Sequence, residues 1–343
     1  MPMKPLLVEI TDSAHLASLD SSGEGARNVT PLAPENLINE APDAHWVLLR
    51  GETWLTARCS LWWKQTPAYL GHSLGLIGHY AASDENSGSQ ILRHACQQLA
   101  ARGCTMAVGP MDGNTWRRYR FITERGAEPA FFLEPDNLDD WPLQFTAEGF
   151  VALATYTSAL DSDLSSELGG TRPRLSAIAE RVFRMGITIR QASADHMDAE
   201  LHRILAVSLR SFQNNFLYTP VEESEFLAQC RKLLPFVRHE FVLLAERDSI
   251  PVGFVFGVPD ALRIKRCQRN DTLIIKTVAV APECASAGLG TLLMGRIREI
   301  AYGLGYTRCI HALMHESNRS RGISAKTAST MRRYTLFARQ LFP

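Results

Sequence analysis

Residues 271–302 read DTLIIKTVAVAPECASAGLGTLLMGRIREIAY, and that order of residue types suits few local structures. Leu273 to Val280 is rich in β-branched residues, which favour a pleated, half-buried strand. Pro282 stops it, because proline has no N–H to give a sheet ladder. Gly288-Leu289-Gly290 reads as a tight turn. Thr291 then opens a helix with apolar residues at helical spacing, Leu292, Leu293, Ile297 and Ile300, and Gly303 and Gly305 end it. Glycines let a ligand approach the backbone with no Cβ in the way. The unpaired N–H groups of a helix's first turn, helped by its dipole, attract an anion. A diphosphate suits such a seat. A helix that merely starts after a flexible loop gives the same lone G-x-G, so the surroundings decide.

Composition narrows the classes. A chain of 343 residues favours two domains over one. Its 36 basic and 36 acidic residues balance, which argues against a general nucleic-acid binder. No apolar run reaches the roughly 18 residues that span a bilayer. The start, MPMKPLLVEITDSAH, lacks the apolar core of a signal peptide. Seven cysteines, an odd number without a C-x-x-C pair, read as free thiols of a cytoplasmic protein, with no metal centre. Cys284, beside the glycine turn, reads either as an exposed reactive thiol or as a small filler residue.

In chain order, residues 1–45 look loop-like, broken by Pro31, Pro34 and Pro42. Residues 45–50 and 54–63 suit a hairpin, and 73–80 a third strand. A polar turn, 83–89, precedes a helix from Gln90 to Arg102 and a short strand, Met106 to Gly109. Residues 74–109 thus repeat the strand, turn, helix and strand order of the later stretch. Their turn has one glycine and the acids Asp84 and Glu85, which repel a diphosphate, so this half reads as a worn copy. A loop at 109–116 leads into Trp116, Tyr119 and Arg120, groups able to stack and to bind an acid, or else to pack as a buried corner. A strand follows at 151–159 and a polar linker at 161–174. The second half begins with a helix, 175–185, and a strand, 187–190; Asp195 is a plausible N-cap for the next helix. The loop Ser211 to Pro220 holds Asn215 and Tyr218, either as ligand contacts or as a packed corner. Further strands are expected at 241–247, 250–258 and 308–314, and a final strand in the last residues.

The opening stretch lacks the Gly-Lys-Ser/Thr of a Walker loop and the third glycine and distant acid of a dinucleotide fingerprint. Val278-Ala279-Val280-Ala281-Pro282 followed by Gly288-Leu289-Gly290-Thr291 instead resembles motif A of the GNAT acyltransferases. Ala285 departs from it, standing where that family usually has Gln or Arg. The pieces GPMDGNTWRRYRF, FFLEP, EGF and TYTS of residues 70–160 are similar to the first half of bacterial double-GNAT proteins.

The resemblance implies an α/β (α+β) fold of two GNAT-like domains, each a mixed, mostly antiparallel sheet flanked by helices. It places a degenerate domain at 1–160, the linker at 161–174 and the catalytic domain at 175–343. It implies transfer of an acetyl group from acetyl-CoA to the primary amine of a small molecule or peptide, with no metal, nucleic acid or membrane involved and a homodimer allowed. Strand 274–280 and strand 308–314 would splay, with the backbone of Val278, Ala279 and Val280 along the pantetheine. Gly288, Leu289, Gly290 and Thr291 would hold the diphosphate, and Asn318 and Ser320 would touch the CoA arm. Asn215 and Tyr218 would face the acceptor, and Tyr334 would protonate the leaving thiolate. Glu246, Asp260, His311 and His315 stand open as the base. Two other readings compete: a non-catalytic CoA-binding scaffold, and a Fem-like aminoacyl transferase.

Overall fold

The computed structural model describes residues 5–19, 29–165, 172–325 and 327–342. Part of the expected linker, 166–171, therefore lies outside the described residues. The strands are β1 (Pro5–Glu9), β2 (Ala44–Arg50), β3 (Trp54–Trp62), β4 (Leu74–Ala82), β5 (Met106–Gly109), β6 (Phe121–Glu124), β7 (Val151–Asp161), β8 (Ile187–Gln191), β9 (Val242–Arg247), β10 (Ile250–Pro259), β11 (Thr272–Val280), β12 (Arg308–His315) and β13 (Ser329–Gln340). They form one sheet in the order β1-β2-β3-β4-β5-β13-β7-β12-β11-β10-β9-β8, with β6 alongside β13. Two pairs are parallel, β4 with β5 and β11 with β12. A parallel pair needs a crossover. The helices Glu85–Ala101 and Leu289–Gly303 supply it, one per half.

The two halves exchange their closing strands. Strand β7, from the first half, lies against β12 of the second, with Leu160 opposite Ile310. Strand β13, from the second half, pairs with β5 of the first, with Ala338 opposite Val108. β13 and β7 also run together, Tyr334 facing Tyr156. Hydrophobic alternation marks these segments as strands but says nothing about which edge each one joins. The sheet is therefore continuous across both halves, where two separate sheets were expected.

Each crossover helix buries an apolar stripe. Leu289, Leu292, Leu293, Ile297 and Ala301 enter the core of the second half. Ile91, Leu92, Ala95 and Leu99 do the same in the first. Each such Leu or Ile contributes about 1.5–3 kcal/mol by leaving water.

Some boundaries differ from the sequence reading. The polar turn at 83–89 is mostly helix, because Asp84 accepts from the Ser87 N–H at 2.8 Å and caps it. Gly88 sits within that helix because a Cβ there would meet the Gln144 Oε1 at 2.4 Å. The region read as loop before residue 45 contains β1, paired with β2, and the helix Pro34–Glu40. Asp195 lies in a short 3-10 turn, so it does not cap the helix Met197–Phe212. The second crossover helix starts at Leu289 rather than Thr291, with Gly288 as its N-cap.

Candidate functional site

Strands β11 and β12 stay in parallel register only from Thr272↔Arg308 to Ile275↔His311. Both then bulge at the same level. On β11 the extra residue is Lys276, since Ile275 faces Gly257 while Thr277 faces Phe256. On β12 the pairing with β7 shifts between His311 and Met314, and Leu313 takes φ +57°. Paired bulges bend the strands apart and open a wedge. Beyond it β11 remains paired with β10 up to Val280, and the Ala281 N–H donates to Val252 O at 2.8 Å. Strand geometry has a period of two. The amides of Ala281 and Ala279 thus face β10, and those of Val278 and Val280 face the wedge. A ligand amide entering there would add as a strand.

At the wedge's far end is the start of the helix Leu289–Gly303, where an anion seat is expected. Gly288 holds φ +84°, and no side chain caps the helix it starts. A Cβ on Gly288 would meet the Arg181 Nη2 at 2.8 Å, whereas one on Gly290 would make only ordinary contacts with Val280 and Val278, at 3.6 and 3.9 Å. The first-turn amides of Leu289, Gly290 and Thr291 thus stand at an end without a side-chain cap. Leu289 contributes only backbone, its side chain being buried. Arg181 also donates to Ala287 O at 2.9 Å. A guanidinium from a distant helix therefore stands at the turn that Ala285 leaves without one. Cys284 is fully buried, a packing residue, and burial raises its thiol pKa.

The same wedge exists in the first half and is filled by the chain itself. Strands β4 and β5 pair from Leu74↔Met106 to Leu76↔Val108 and then part. The Met111 N–H occupies Ile77 O at 2.9 Å, and the His79 N–H donates to the Asp112 Oδ1 at 2.6 Å. Gly78 permits this plug, since a Cβ there would lie 2.3 Å from Met111 O. Asp84 fills the corresponding helix N-terminus with its own carboxylate. Nearby, Glu40, His79 and Asp112 bring potential ligand atoms within 4.8 Å of one another. There His79 is held through both ring nitrogens, by Glu40 at 2.9 Å and Ser60 at 2.9 Å.

A cleft of about 1220 Å³ joins the open wedge to the surface between the halves. Its walls include Val278, Asn318, Asn215 and Tyr218 from the residues singled out in the sequence. The loop carrying Asn215 and Tyr218 is a turn, with the Tyr218 N–H bonding Asn215 O at 3.1 Å. Trp116, from the first half, clamps that loop by donating its indole N–H to Thr219 O at 2.8 Å. Arg117 adds an ion pair to Glu225 at 2.6 Å. Asn318 caps a short helix, Arg319–Ser324, with its side chain exposed and not engaged in the cap. Ser320 lies in that helix; its side chain is outside the described residues.

Tyr334 is not on the cleft wall. It is fully buried on β13, where its hydroxyl donates to Glu134 and lies 3.0 Å from the Ser158 Oγ. Burial and the Glu134 charge push its pKa well up. The exchange of β13 into the middle of the sheet is what removes it from the ligand side. Glu134 is shared with Arg332, which also donates to Arg125 O and Glu128 O.

Two other groups line the cleft with usable chemistry. Lys276, the bulge residue, donates to Leu133 O at 3.0 Å. Burial, then the Arg120 charge, push its pKa down to about 7, against the pull of Glu134. Its signal in the sequence was a lone lysine in an otherwise apolar run, LIIKTVAV. His315 stands between the rings of Tyr156 and Phe216, at 4.9 and 5.4 Å. Its Nδ1 lies 2.8 Å from the Ser317 Oγ and 3.1 Å from the Ser317 N, while its Nε2 is buried with no hydrogen-bond partner. Burial lowers its pKa. Of the remaining candidates, His311 also borders the cleft, while Glu246 and Asp260 are not among its lining residues. His311 bonds Ser324 at 2.7 Å, and its pKa is pushed down to about 3 by burial and Arg298. Glu246 pairs with Arg190 at 2.7 Å, and Asp260 receives the Phe132 N–H at 2.9 Å.

Residues 202–322 match the acetyltransferase (GNAT) family model. No curated protein matches the sequence. Among solved structures, a probable N-acyltransferase of Enterococcus faecalis is similar over 98% of this chain and 72% of its own, at TM-score 0.56 and 13% identity. A GCN5-related glucosamine N-acetyltransferase region of a fungal multi-domain β-N-acetylglucosaminidase matches 99% of this chain, which spans 38% of that one, at TM-score 0.55 and 12% identity. A tandem GNAT protein of the clavulanic acid biosynthesis pathway matches over 99% of both chains, at TM-score 0.51 and 12% identity. At these identities the likeness establishes the fold.

Proposed function

We propose that this chain, whose residues 202–322 match the GNAT family model, is an acyltransferase that moves an acetyl group from acetyl-CoA directly to a primary amine. The observation that carries this reading is the open wedge between β11 and β12, ending at the uncapped helix N-terminus. In this reading the backbone of Val278 and Val280 pairs with the pantetheine amides, while the amides of Gly288 to Thr291 take the diphosphate. Asn318 and Ser320 lie along the CoA arm, and Asn215 and Tyr218 border the acceptor. The first half is a degenerate copy, its wedge filled by Pro110 to Asp112. The working division stays at 1–160, 161–174 and 175–343, with β7 and β13 exchanged. Free cysteines and the lack of any described helix long and apolar enough to cross a membrane support a cytoplasmic setting.

The chemistry needs a neutral amine, a place for its proton and a donor for the leaving sulfur. Lys276 takes the amine's proton as the new C–N bond forms, since near neutral pH a large share of it is uncharged. His315 borders the leaving sulfur with its unpartnered Nε2, and as the C–S bond breaks the thiolate takes the proton that Lys276 has received, which returns the lysine to its neutral form. Lys276 thus also fills the role expected of Tyr334, which lies away from the cleft.

The test is cofactor binding followed by turnover. Acetyl-CoA at about 100 times its Kd should stabilise the protein by about 2.7 kcal/mol, seen as a rise in Tm. Gly290→Glu should abolish that gain and leave the free protein as stable as before. An acid in a helix's first turn suits the dipole but repels a diphosphate, and its Cβ has room. Gly288 is the poorer choice, because its φ of +84° strains any side chain. No rise at millimolar acetyl-CoA would sink the proposal. A rise without thiol release across an amine panel would leave a binder rather than an enzyme.

A further inference from the structure

Arg120 is 7% exposed, and its Nε and Nη1 have no hydrogen-bond partner. Arg332, the other arginine buried to this degree among the described residues, is satisfied, meeting Glu134 and two carbonyls. A buried charge with unmet donors is costly, and native folds seldom keep one without use. Arg120 is also held at φ +66°, a backbone region that non-glycine residues enter only at a cost and that recurs at ligand clamps.

Its surroundings define what it can bind. The guanidinium carbon lies 3.9 Å from the Tyr119 ring centre and 4.1 Å from that of Tyr156. The two ring centres are themselves 5.6 Å apart with planes at 85°, so the rings flank the guanidinium on adjacent sides, and neither answers its Nε or Nη1. Arg120 belongs to the cleft wall, which it shares with Lys276, His315 and Asn215. Glu134, a carboxylate on the same wall, is already taken by Arg332 and Tyr334. A buried guanidinium with unmet donors calls for an anion, and a carboxylate brings two acceptor oxygens to it.

We propose that Arg120 seats a carboxylate of the acceptor, so that the amine to be acylated belongs to an amino acid or a related amino carboxylic acid. This rests on the acyltransferase reading above, and names the substrate class for the same cleft. Arg120, flanked by Tyr119 and Tyr156, then fixes the acceptor by its acid end and leaves its amine to reach Lys276.

Two measurements test it separately from cofactor binding. Amino acids and ω-amino acids are assayed against their own amides and methyl esters, with phosphoethanolamine as a phosphate-bearing control, by thiol release from acetyl-CoA. The free acids should exceed their amides by about 100-fold in kcat/KM. Arg120→Gln should erase that preference mainly through KM, and Arg120→Lys should restore only part of it, while the acetyl-CoA melting shift stays intact in both. Independently of turnover, the preferred amino acids should raise the Tm of the wild-type protein and not of Arg120→Gln. Equal rates for acids and amides, a preference that survives Arg120→Gln, or phosphoethanolamine outdoing every carboxylate would each overturn the assignment. Loss of the acetyl-CoA shift in the wild type would instead strike the acyltransferase reading, with the amino-acid melting shift still deciding the role of Arg120.

Discussion

Lys276→Met should give a protein that is more stable and far less active. The lysine is half-buried at the root of the wedge, and its pKa falls from the ordinary value of 10.5 to about 7. In the unfolded chain it keeps the ordinary value. Between about pH 7 and 10.5 the unfolded state therefore binds more protons, and stability rises with pH through that window. Below about 7 both states are protonated and the full penalty stands. Methionine removes the charge, so the variant should gain on the order of a few kcal/mol at pH 7 and lose the slope between pH 7 and 10. Urea denaturation across that range reads both. Turnover should fall by about 100- to 10,000-fold, as expected for removal of a general base. A variant that keeps its activity, or whose stability follows the wild-type pH slope, would remove Lys276 from the mechanism.

Arg332→Leu should be the most damaging single change in the shared part of the sheet. The side chains of Arg332 and Glu134 are both fully buried. Breaking such a pair costs about 3–5 kcal/mol, because the remaining charge has lost its counter-ion. Glu134 would keep the Tyr334 hydroxyl and a long contact from the Phe131 N–H at 3.2 Å. Burial already raises its pKa, and loss of the arginine should raise it further. A folded-state carboxyl with a raised pKa binds a proton that the unfolded state has released, so the variant should regain stability as pH falls toward the ordinary value of 4.5. Arg332→Leu with Glu134→Gln should recover most of the loss at neutral pH. Denaturation midpoints at pH 5 and 8 check the sign, and a double-mutant cycle checks the pairing. A single variant within 1 kcal/mol of wild type, taken as a rough limit, would contradict the burial of this pair.

How much of this was written in the sequence depends on the range of the interaction. The strand, helix and glycine cap at Thr272–Gly303 were legible because periodicity, proline and glycine act over a few residues. The strand, helix and strand order of residues 74–109 was legible too, though Asp84 caps the helix inside the stretch read as a turn. Lys276 was visible only as an anomaly, one charge in an apolar strand; its meaning depends on Leu133 and Arg120, far away in the chain. The Arg332–Glu134–Tyr334 cluster left no local trace, being assembled by a sheet register that no short-range pattern encodes. Tyr334 was misassigned for the same reason: its order after Asn318 suggests the ligand side, but β13 leaves that side to complete the other half.

That exchanged strand also sets a schedule for synthesis. Strands β4 and β5 can meet once the first 110 or so residues have been made, their separation being short. The neighbour of β5 is β13, whose residues 329–340 are added more than 200 residues later. Strand β7 waits as well, for β12 on one side and β13 on the other. During translation the first half therefore carries an open sheet edge for most of the time the second half is being made. A nascent chain with a waiting edge is exposed to pairing with its neighbours on the same message, and this topology makes the last strand the one that ends that exposure.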